Sequence, residues 1–158
     1  MDVLRQAFGS LGISGVATFL GSGNVVFETM ARDPRLLEKK IERGLQKALG
    51  YSVPVFIRTD AELRKIAACE PFERPVISGK DVNIILLTNV LDQKSKVKLM
   101  ALTTETDGFR VQGREIYWWR RKKPGTALFS TVPFAKALSK PFTIRSASTI
   151  RKLVTKWP

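Results

Sequence analysis

Residues 82–87 read VNIILL, and this almost entirely apolar stretch decides the fold. An uninterrupted run of Val, Ile and Leu of this length is typical of a central strand that is covered on both faces of its sheet. The residues after it alternate between helical and strand patterns. They predict a helix at 92–102, strands at 109–111 and 116–119, a short helix at 133–138, a strand at 142–145 and a terminal helix that Ser146 or Ser148 caps and that runs to about residue 156.

The resulting order of elements is β-α-β-β-α-β. This is the order of a ferredoxin-like unit, also called the split βαβ arrangement. We therefore expect residues 81–158 to form one complete unit of this kind, followed by the terminal helix.

The first half of the chain shows the same order without an opening strand. Its patterns predict a helix at 2–11, a hairpin with strands at 15–20 and 25–28, a helix from Asp33-Pro34 to Gly50, a strand at 53–58 and a capped helix at 59–68. In the ferredoxin-like order the opening strand lies inside the sheet, so its absence leaves two unpaired inner edges. We expect an α+β fold of two ferredoxin-like units. The first (1–70) misses its opening strand, and a linker (71–80) joins it to the second.

The composition excludes several kinds of site. The 158 residues include no histidine and one cysteine, Cys69, which rules out a Ser-His-Asp triad, a Cys-His pair, a His-ligated metal, an internal disulfide and a cysteine cluster. We expect no cofactor and no metal, and we interpret Cys69 as a small buried apolar residue. No signal peptide is visible and no apolar stretch is long enough to span a bilayer, so we expect a cytoplasmic protein that does not contact membranes.

The positive charge is concentrated near the end of the chain. There are 27 Lys and Arg against 14 Asp and Glu, but residues 108–158 hold 12 of the former and only one of the latter, Glu115. One short run combines aromatic and basic residues: Tyr117, Trp118, Trp119, Arg120, Arg121, Lys122 and Lys123. Cations neutralise phosphates and aromatic faces stack on bases, which makes this run a nucleic-acid-binding candidate. The alternative is a strand with buried rings and a solvated turn.

Two further places are candidates for binding an anion. The hairpin loop contains Ser22, Gly23 and Asn24, whose backbone N–H groups and side chains suit an anion nest, although the same residues suit a tight turn. Arg145 and Arg151 flank the start of the terminal helix, where a phosphate can bind. The alternative there is an ordinary capped surface helix.

Several stretches together resemble one protein family. The hairpin TFLGSGNVVF at 18–27 resembles a Thr-Tyr-Ile-Gln-Ser-Gly-Asn-Val-Val-Phe signature of the bacterial domain-of-unknown-function family 1697. The first helix at 1–12, the segment YSVPV at 51–55, Pro71-Phe72 and the tail at 143–153 are similar to further parts of that family. The resemblance implies the family's fold. The resemblance implies little about function, because the family's role is unassigned.

The chain also departs from the family pattern. Family members usually begin with a strand and a Leu-Arg-Gly-Ile-Asn-Val-Gly-Gly loop, and the resemblance therefore implies that this chain lacks a core strand. In the tail, Ser146-Ala147-Ser148 stands where the family has Asn-Trp-Asn.

Three functional hypotheses follow. The first is a module that binds nucleic acid or another polyanion through the basic C-terminal half. The second is an enzyme acting on an anionic small molecule, which Ser22 and Asn24 would orient and Arg145 would hold. The third is an inactive family member that associates with itself through an unpaired strand edge. We favour the first and lean against catalysis.

Overall fold

The computed structural model describes residues 2–21, 23–72, 82–120 and 132–158, with only the backbone for 132 and 133. The chain divides into two compact units, residues 1–58 and 59–158. The predicted boundary at residue 70 differs from this division, because the helix at 60–68 packs against the terminal helix of the second unit. Most of the predicted linker (71–80) lies outside the described residues.

The first unit contains two helices and one hairpin. Its elements are α1 (Asp2–Ser10), β1 (Ser14–Phe19), β2 (Asn24–Glu28) and α2 (Pro34–Leu49). Asp33 caps α2, since its carboxylate accepts the N–H groups of Arg35 (2.9 Å) and Leu36 (3.2 Å). The helix ends at Gly50, whose φ of +81° is the left-handed conformation that favours glycine at this position.

Helices α1 and α2 supply the apolar core of the first unit, together with Ile13 in the turn between α1 and β1. Its buried members are Ala7, Phe8, Ile13, Leu37, Ile41 and Leu45. The strand residues are only half-buried: Val16, Val25 and Phe27 pack against this cluster without being enclosed by it. The sheet is thus a two-stranded hairpin, β1 antiparallel to β2, that covers the helices from one side.

The predicted strand at 53–58 is not a strand in the structure. Val53, Val55 and Ile57 pack on the same core as the hairpin, but the segment has no ladder partner in the described part of the chain. Its backbone N–H groups go elsewhere: Val55 donates to Glu42 Oε1 and Ile57 to Glu38 Oε1, each at 2.9 Å. The sequence pattern suits a strand, but a strand also needs a neighbouring strand.

The second unit begins with α3 (Asp60–Ala68) and then contains a complete four-stranded sheet. Its remaining elements are β3 (Val82–Leu86), α4 (Gln93–Met100), β4 (Asp107–Gln112), β5 (Glu115–Arg120), α5 (Val132–Leu138), β6 (Thr143–Ser146) and α6 (Ala147–Lys156). The strand order is β4-β5-β3-β6, and all neighbours are antiparallel. The prediction that 82–87 forms a central strand is confirmed, and the fold is α+β.

Helices cover both faces of this sheet. On the inner face, Ile85, Ile116 and Trp118 form one cluster with residues of α4 and α5. On the outer face, Ile84 and Tyr117 lie beside residues of α3 and α6. Alternate residues of a strand point to opposite faces, so both sets of strand residues must be apolar or aromatic, as they are here. No helix in the described residues is long and apolar enough to cross a membrane.

Candidate functional site

In the described part of the hairpin loop, two glycines and the side chain of Asn24 make the turn. Gly21 and Gly23 have φ of +62° and +79°, so both adopt the left-handed conformation that glycine tolerates best. The Asn24 side-chain amide donates to the Phe19 carbonyl at 3.1 Å, which closes the loop across the strand ends. Ser22 lies outside the described residues. The geometry of Gly23 and Asn24 is thus that of the structural alternative given above.

The side chain of Arg145 forms hydrogen bonds with its own strand. Its Nη1 donates to Thr143 Oγ1 at 2.7 Å and to the Ile144 carbonyl at 2.8 Å. Burial lowers the pKa of the Arg145 guanidinium from its ordinary value. The residue lies opposite Ile84 in the β3–β6 ladder, which directs its side chain to the outer face of the sheet.

Arg151 lies one turn into α6 and is exposed. The helix itself begins at a capped residue, because Ser146 Oγ accepts the Thr149 N–H at 3.1 Å. Arg151 also forms part of the wall of a cavity of about 90 Å³ on the outer face, together with side chains of α3 and of the sheet. Arg145 and Arg151 therefore both lie on the outer face of the sheet of the second unit.

Two side chains that the sequence analysis did not connect meet in that cavity. Tyr117 and Cys69 are in contact, and the Cys69 thiol donates to Gln112 Oε1 at 3.1 Å. Burial, and secondarily the contact with Cys69, raises the pKa of Tyr117, so its hydroxyl stays protonated at neutral pH. Nothing in the spacing of residues 69 and 117 signals this contact, because it depends on how α3 lies on the sheet.

A wider cleft of about 620 Å³ adjoins the same two residues. An ion pair crosses its wall, with Arg114 Nη2 at 2.6 Å from Glu62 Oε1. Lys65 and Glu115 also line it, so both signs of charge are present. Among the described residues, no group of three or more Cys, Asp and Glu side chains could hold a metal ion.

The aromatic residues proposed for base stacking are mostly in the core. Tyr117 and Trp118 are each 3% exposed, and Phe109, which stacks against Trp118, is 7% exposed. The rings of Tyr117 and Trp118 are thus those of the alternative, a strand with buried rings, because helices cover both faces of the sheet. The indole N–H of Trp118 is also hydrogen bonded within the protein, since its Nε1 donates to Asp107 Oδ1 at 2.9 Å.

The remaining members of the aromatic and basic run differ in their surroundings. Trp119 is half-buried and lies over Gly108, with its ring edge-on to Phe72. Arg120 lies 3.7 Å from Asp107, as a loose ion pair. Arg121, Lys122 and Lys123 lie outside the described residues.

The structure reveals a basic surface that the sequence analysis did not single out. Helices α4 and α5 pack against each other, and they and the residues beside them carry Lys94, Lys96, Lys98, Lys136 and Lys140. We call these five residues the lysine surface. All are exposed except Lys96, which is half-buried. The sequence shows Lys at every second position from 94 to 98, but only the packing of α5 against α4 brings the segment that carries Lys136 and Lys140 beside the segment that carries them.

One acidic residue accompanies these lysines. Asp92 caps α4 by accepting the Ser95 N–H at 2.7 Å. Its hydrogen bonds with the Ser95 backbone and side chain, and then the positive charges of Lys140 and Lys94, lower the pKa of the Asp92 carboxyl. Lys140 follows α5 and Lys94 is in α4, so positive charges from both segments act on the Asp92 carboxyl.

Comparison with known proteins agrees with the family resemblance. Residues 1–117 match the family model described as a protein of unknown function (DUF1697). A solved structure, a conserved bacterial protein from Streptococcus pneumoniae, is 19% identical with a TM-score of 0.70; the match covers 99% of this chain and 87% of that one. At this identity the likeness shows a common fold and not a common function. No curated protein matches the chain.

Proposed function

Because this chain belongs to the DUF1697 family, whose function is unknown, we propose a function from its own surface: it binds polyanions through the lysine surface of the second unit. One observation carries this proposal. Residues 91–102 and 132–141 hold five lysines and a single acid, Asp92, which already caps α4. The charge of the lysines is thus left largely uncompensated by these two segments.

The expected contacts are to backbone charge and not to bases. Lysine is a compact cation on a flexible stem, which binds phosphates as a point charge without reading sequence. Base stacking would require exposed aromatic faces, and Tyr117 and Trp118 are buried. We therefore expect little preference between oligonucleotides of equal length and a strong dependence of affinity on salt.

The enzyme hypothesis has less support from the geometry. It relies on Asn24 and Arg145, but the side chain of Asn24 closes the hairpin and that of Arg145 is hydrogen bonded to strand β6. The raised pKa of Tyr117 also disfavours a phenolate nucleophile at neutral pH. Catalysis therefore stays the weaker hypothesis.

The test compares two triple variants of equal charge. Lys94→Gln, Lys98→Gln and Lys136→Gln remove three exposed cations from the lysine surface, whereas Lys39→Gln, Lys40→Gln and Lys47→Gln remove three from α2 of the first unit. Binding of a labelled single-stranded oligonucleotide is followed by fluorescence anisotropy over a salt series. If the lysine surface binds phosphates, its variant should lose about two units from the slope of log K against log salt, since each phosphate contact contributes about 0.7.

Two results would overturn this proposal. One is the absence of binding by the unmodified protein at low salt. The other is an equal decrease in the salt slope in both triple variants, because binding would then depend on the net charge of the protein and not on a particular surface.

A further inference from the structure

We propose that the cavity of about 90 Å³ on the outer face of the second unit binds a short-chain carboxylate, whose alkyl chain fills the apolar interior and whose charge lies at Arg151. The walls of this cavity belong to the second unit alone, since they are formed by residues between 66 and 151. The inference is separate from polyanion binding, because the lysine surface lies on helices that cover the other face of the sheet.

The interior of the cavity is lined by buried apolar side chains. Val82 and Ile84 come from β3, Ile66 comes from α3 and Ala147 comes from α6. Each of the four is at most 9% exposed, so the packing of the second unit holds it in place. An apolar lining forms few hydrogen bonds with water, and an alkyl chain that replaces this water is bound favourably.

The segment that follows α3 forms part of the wall and is tied to the sheet. Pro71 and Phe72 both line the cavity. The guanidinium of Arg110 in β4 donates to the Pro71 carbonyl at 2.9 Å, and the Phe72 ring lies edge-on to Trp119 in β5, with ring centres 6.3 Å apart. These two contacts hold the wall in place without a ligand, so binding requires little further ordering of the chain.

One neutral hydrogen-bond donor lies among these apolar side chains. Tyr117 lines the cavity, is only 3% exposed and contacts Cys69. Burial raises the pKa of Tyr117, so its hydroxyl stays protonated at neutral pH. A neutral hydroxyl can donate a hydrogen bond to a carboxylate oxygen, whereas a phenolate would repel it.

The charge around the cavity favours an anion. Among the described residues of its wall, the charged side chains are Arg151 and Glu70. In the described part of the chain, no hydrogen bond or ion pair engages the Arg151 guanidinium. Two further arginines, Arg110 and Arg145, lie in the outer strands of the sheet at the level of Ile84. Three cations thus accompany one acid, and guanidinium groups bind carboxylates through paired hydrogen bonds.

The volume of the cavity limits the size of the ligand. A water molecule takes about 30 Å³ in the liquid, so the cavity of about 90 Å³ has room for about three groups of that size. Benzene fits an apolar cavity of about 150 Å³, which is clearly larger than this one. The ligand should therefore carry an alkyl chain of about three carbons beyond its carboxylate, as butyrate does.

The test is a titration of the full chain with butyrate at constant ionic strength, followed by backbone amide chemical shifts. We expect saturable shifts in residues 66–72, 82–86 and 147–151. Acetate is two methylenes shorter and should bind about fifteen-fold more weakly, since each methylene contributes about four-fold. Hexanoate should bind no more tightly than butyrate, because the cavity is already full. Butylamine carries the opposite charge and should not bind.

Two substitutions on α6 test the role of Arg151. Arg151→Gln removes the cation from the wall of the cavity and should weaken butyrate binding about ten-fold. Lys152→Gln is the matched control, because Lys152 is the next residue of the same helix, is exposed and does not line the cavity. It should leave the affinity for butyrate unchanged.

A third variant tests the interior. Ala147→Leu adds three carbon atoms to a buried side chain of the wall and should abolish butyrate binding in a protein whose circular dichroism is unchanged. If this variant does not fold, the comparison of Arg151→Gln with Lys152→Gln still decides the outcome.

Four results would overturn the proposal. They are no saturable shift with butyrate, shifts confined to α4 and α5, an equal loss of affinity in Arg151→Gln and Lys152→Gln, and binding of butylamine as tight as that of butyrate. Retained binding by a folded Ala147→Leu variant would also overturn it, because the ligand would then lie outside the cavity.

Discussion

The two units show what a central strand does for a sheet. In the second unit, β3 binds β5 on one side and β6 on the other, and four of the nine residues of the inner core cluster are strand residues: Ile85, Phe109, Ile116 and Trp118. In the first unit, none of the six buried core residues lies in a strand. The order helix, strand, strand, helix, which the two units share, is thus part of an enclosed sheet in the second unit and forms a half-exposed hairpin in the first.

The difference between the two units shows that a segment with a strand-like pattern forms a strand only when a neighbouring strand pairs with it. Val53, Val55 and Ile57 pack on the core at alternate positions, as in a strand, yet the N–H groups of Val55 and Ile57 donate to side-chain carboxylates and not to a ladder. Backbone polar groups near a core require some partner, and when a strand is absent the nearest acceptor serves. Four experiments follow in order of decreasing expected effect, and the first two test this contrast directly.

The largest effect is expected from truncating a strand residue that is fully enclosed. Ile116→Ala in β5 removes a 0% exposed side chain from the second core and should cost about 2–5 kcal/mol of unfolding free energy. The measurement is denaturant unfolding followed by circular dichroism. Val97→Ala on α4 is the control, because Val97 is 61% exposed and its truncation should change stability by less than about 0.5 kcal/mol.

A truncation to alanine in the first unit sharpens the comparison. Val25→Ala in β2 removes a half-buried side chain and should cost less than Ile116→Ala, in proportion to the smaller apolar area lost. Equal losses for the two variants would contradict the view that the hairpin of the first unit is incompletely covered.

A smaller effect is expected at Gly108. A Cβ placed on this residue of β4 would overlap the Trp119 indole, so Gly108→Ala should destabilise the second unit by about 1–3 kcal/mol through overpacking. Gly9→Ala in α1 is the matched control. It adds a methyl group into open space within a helix and should stabilise the protein by up to about 1 kcal/mol. Differential scanning calorimetry measures both; a stabilised Gly108→Ala variant would contradict the close packing of Trp119.

The smallest effect is a pH dependence in the second unit. The pKa of Asp92 is lowered from its ordinary value of 3.8, chiefly by the Ser95 N–H, so the folded protein binds this proton less readily than the unfolded chain. The contribution of Asp92 to stability is therefore complete well above pH 4 and is lost as the pH falls through the lowered pKa. Asp92→Asn keeps a capping oxygen and should unfold with a weaker dependence on pH between about pH 5 and pH 2. An unchanged acid profile would contradict the lowered pKa.

The sequence predicts local structure well in this protein because the signals are themselves local. Asp33 and Pro34 fix the start of α2, Thr59 and Glu62 form the capping box of α3, and the apolar run at 82–87 forms the central strand. Each of these signals depends on residues that are only a few positions apart in the sequence. The glycines of the hairpin act in the same way, through their own φ angles.

The features that sequence reasoning missed depend on contacts between distant parts of the chain. A ladder partner for residues 53–58 cannot be deduced from those residues, and the burial of Trp118 depends on where α4 and α5 lie. The contact of Cys69 with Tyr117 spans 48 positions of sequence, and the lysine surface joins two helices separated by a hairpin. In each case the residue types were visible, but their neighbours were not.

The distribution of tryptophans allows the two units to be distinguished by fluorescence. All three tryptophans, Trp118, Trp119 and Trp157, belong to the second unit, and the first unit has none. Intrinsic emission excited at the tryptophan band therefore reports on the second unit alone, whereas ellipticity in the peptide region reports on both. If the hairpin of the first unit melts at a lower temperature than the four-stranded sheet, ellipticity will begin to fall while the emission spectrum is still that of a buried Trp118. The melting curves from ellipticity and from emission will then separate, and no added label is needed to see this.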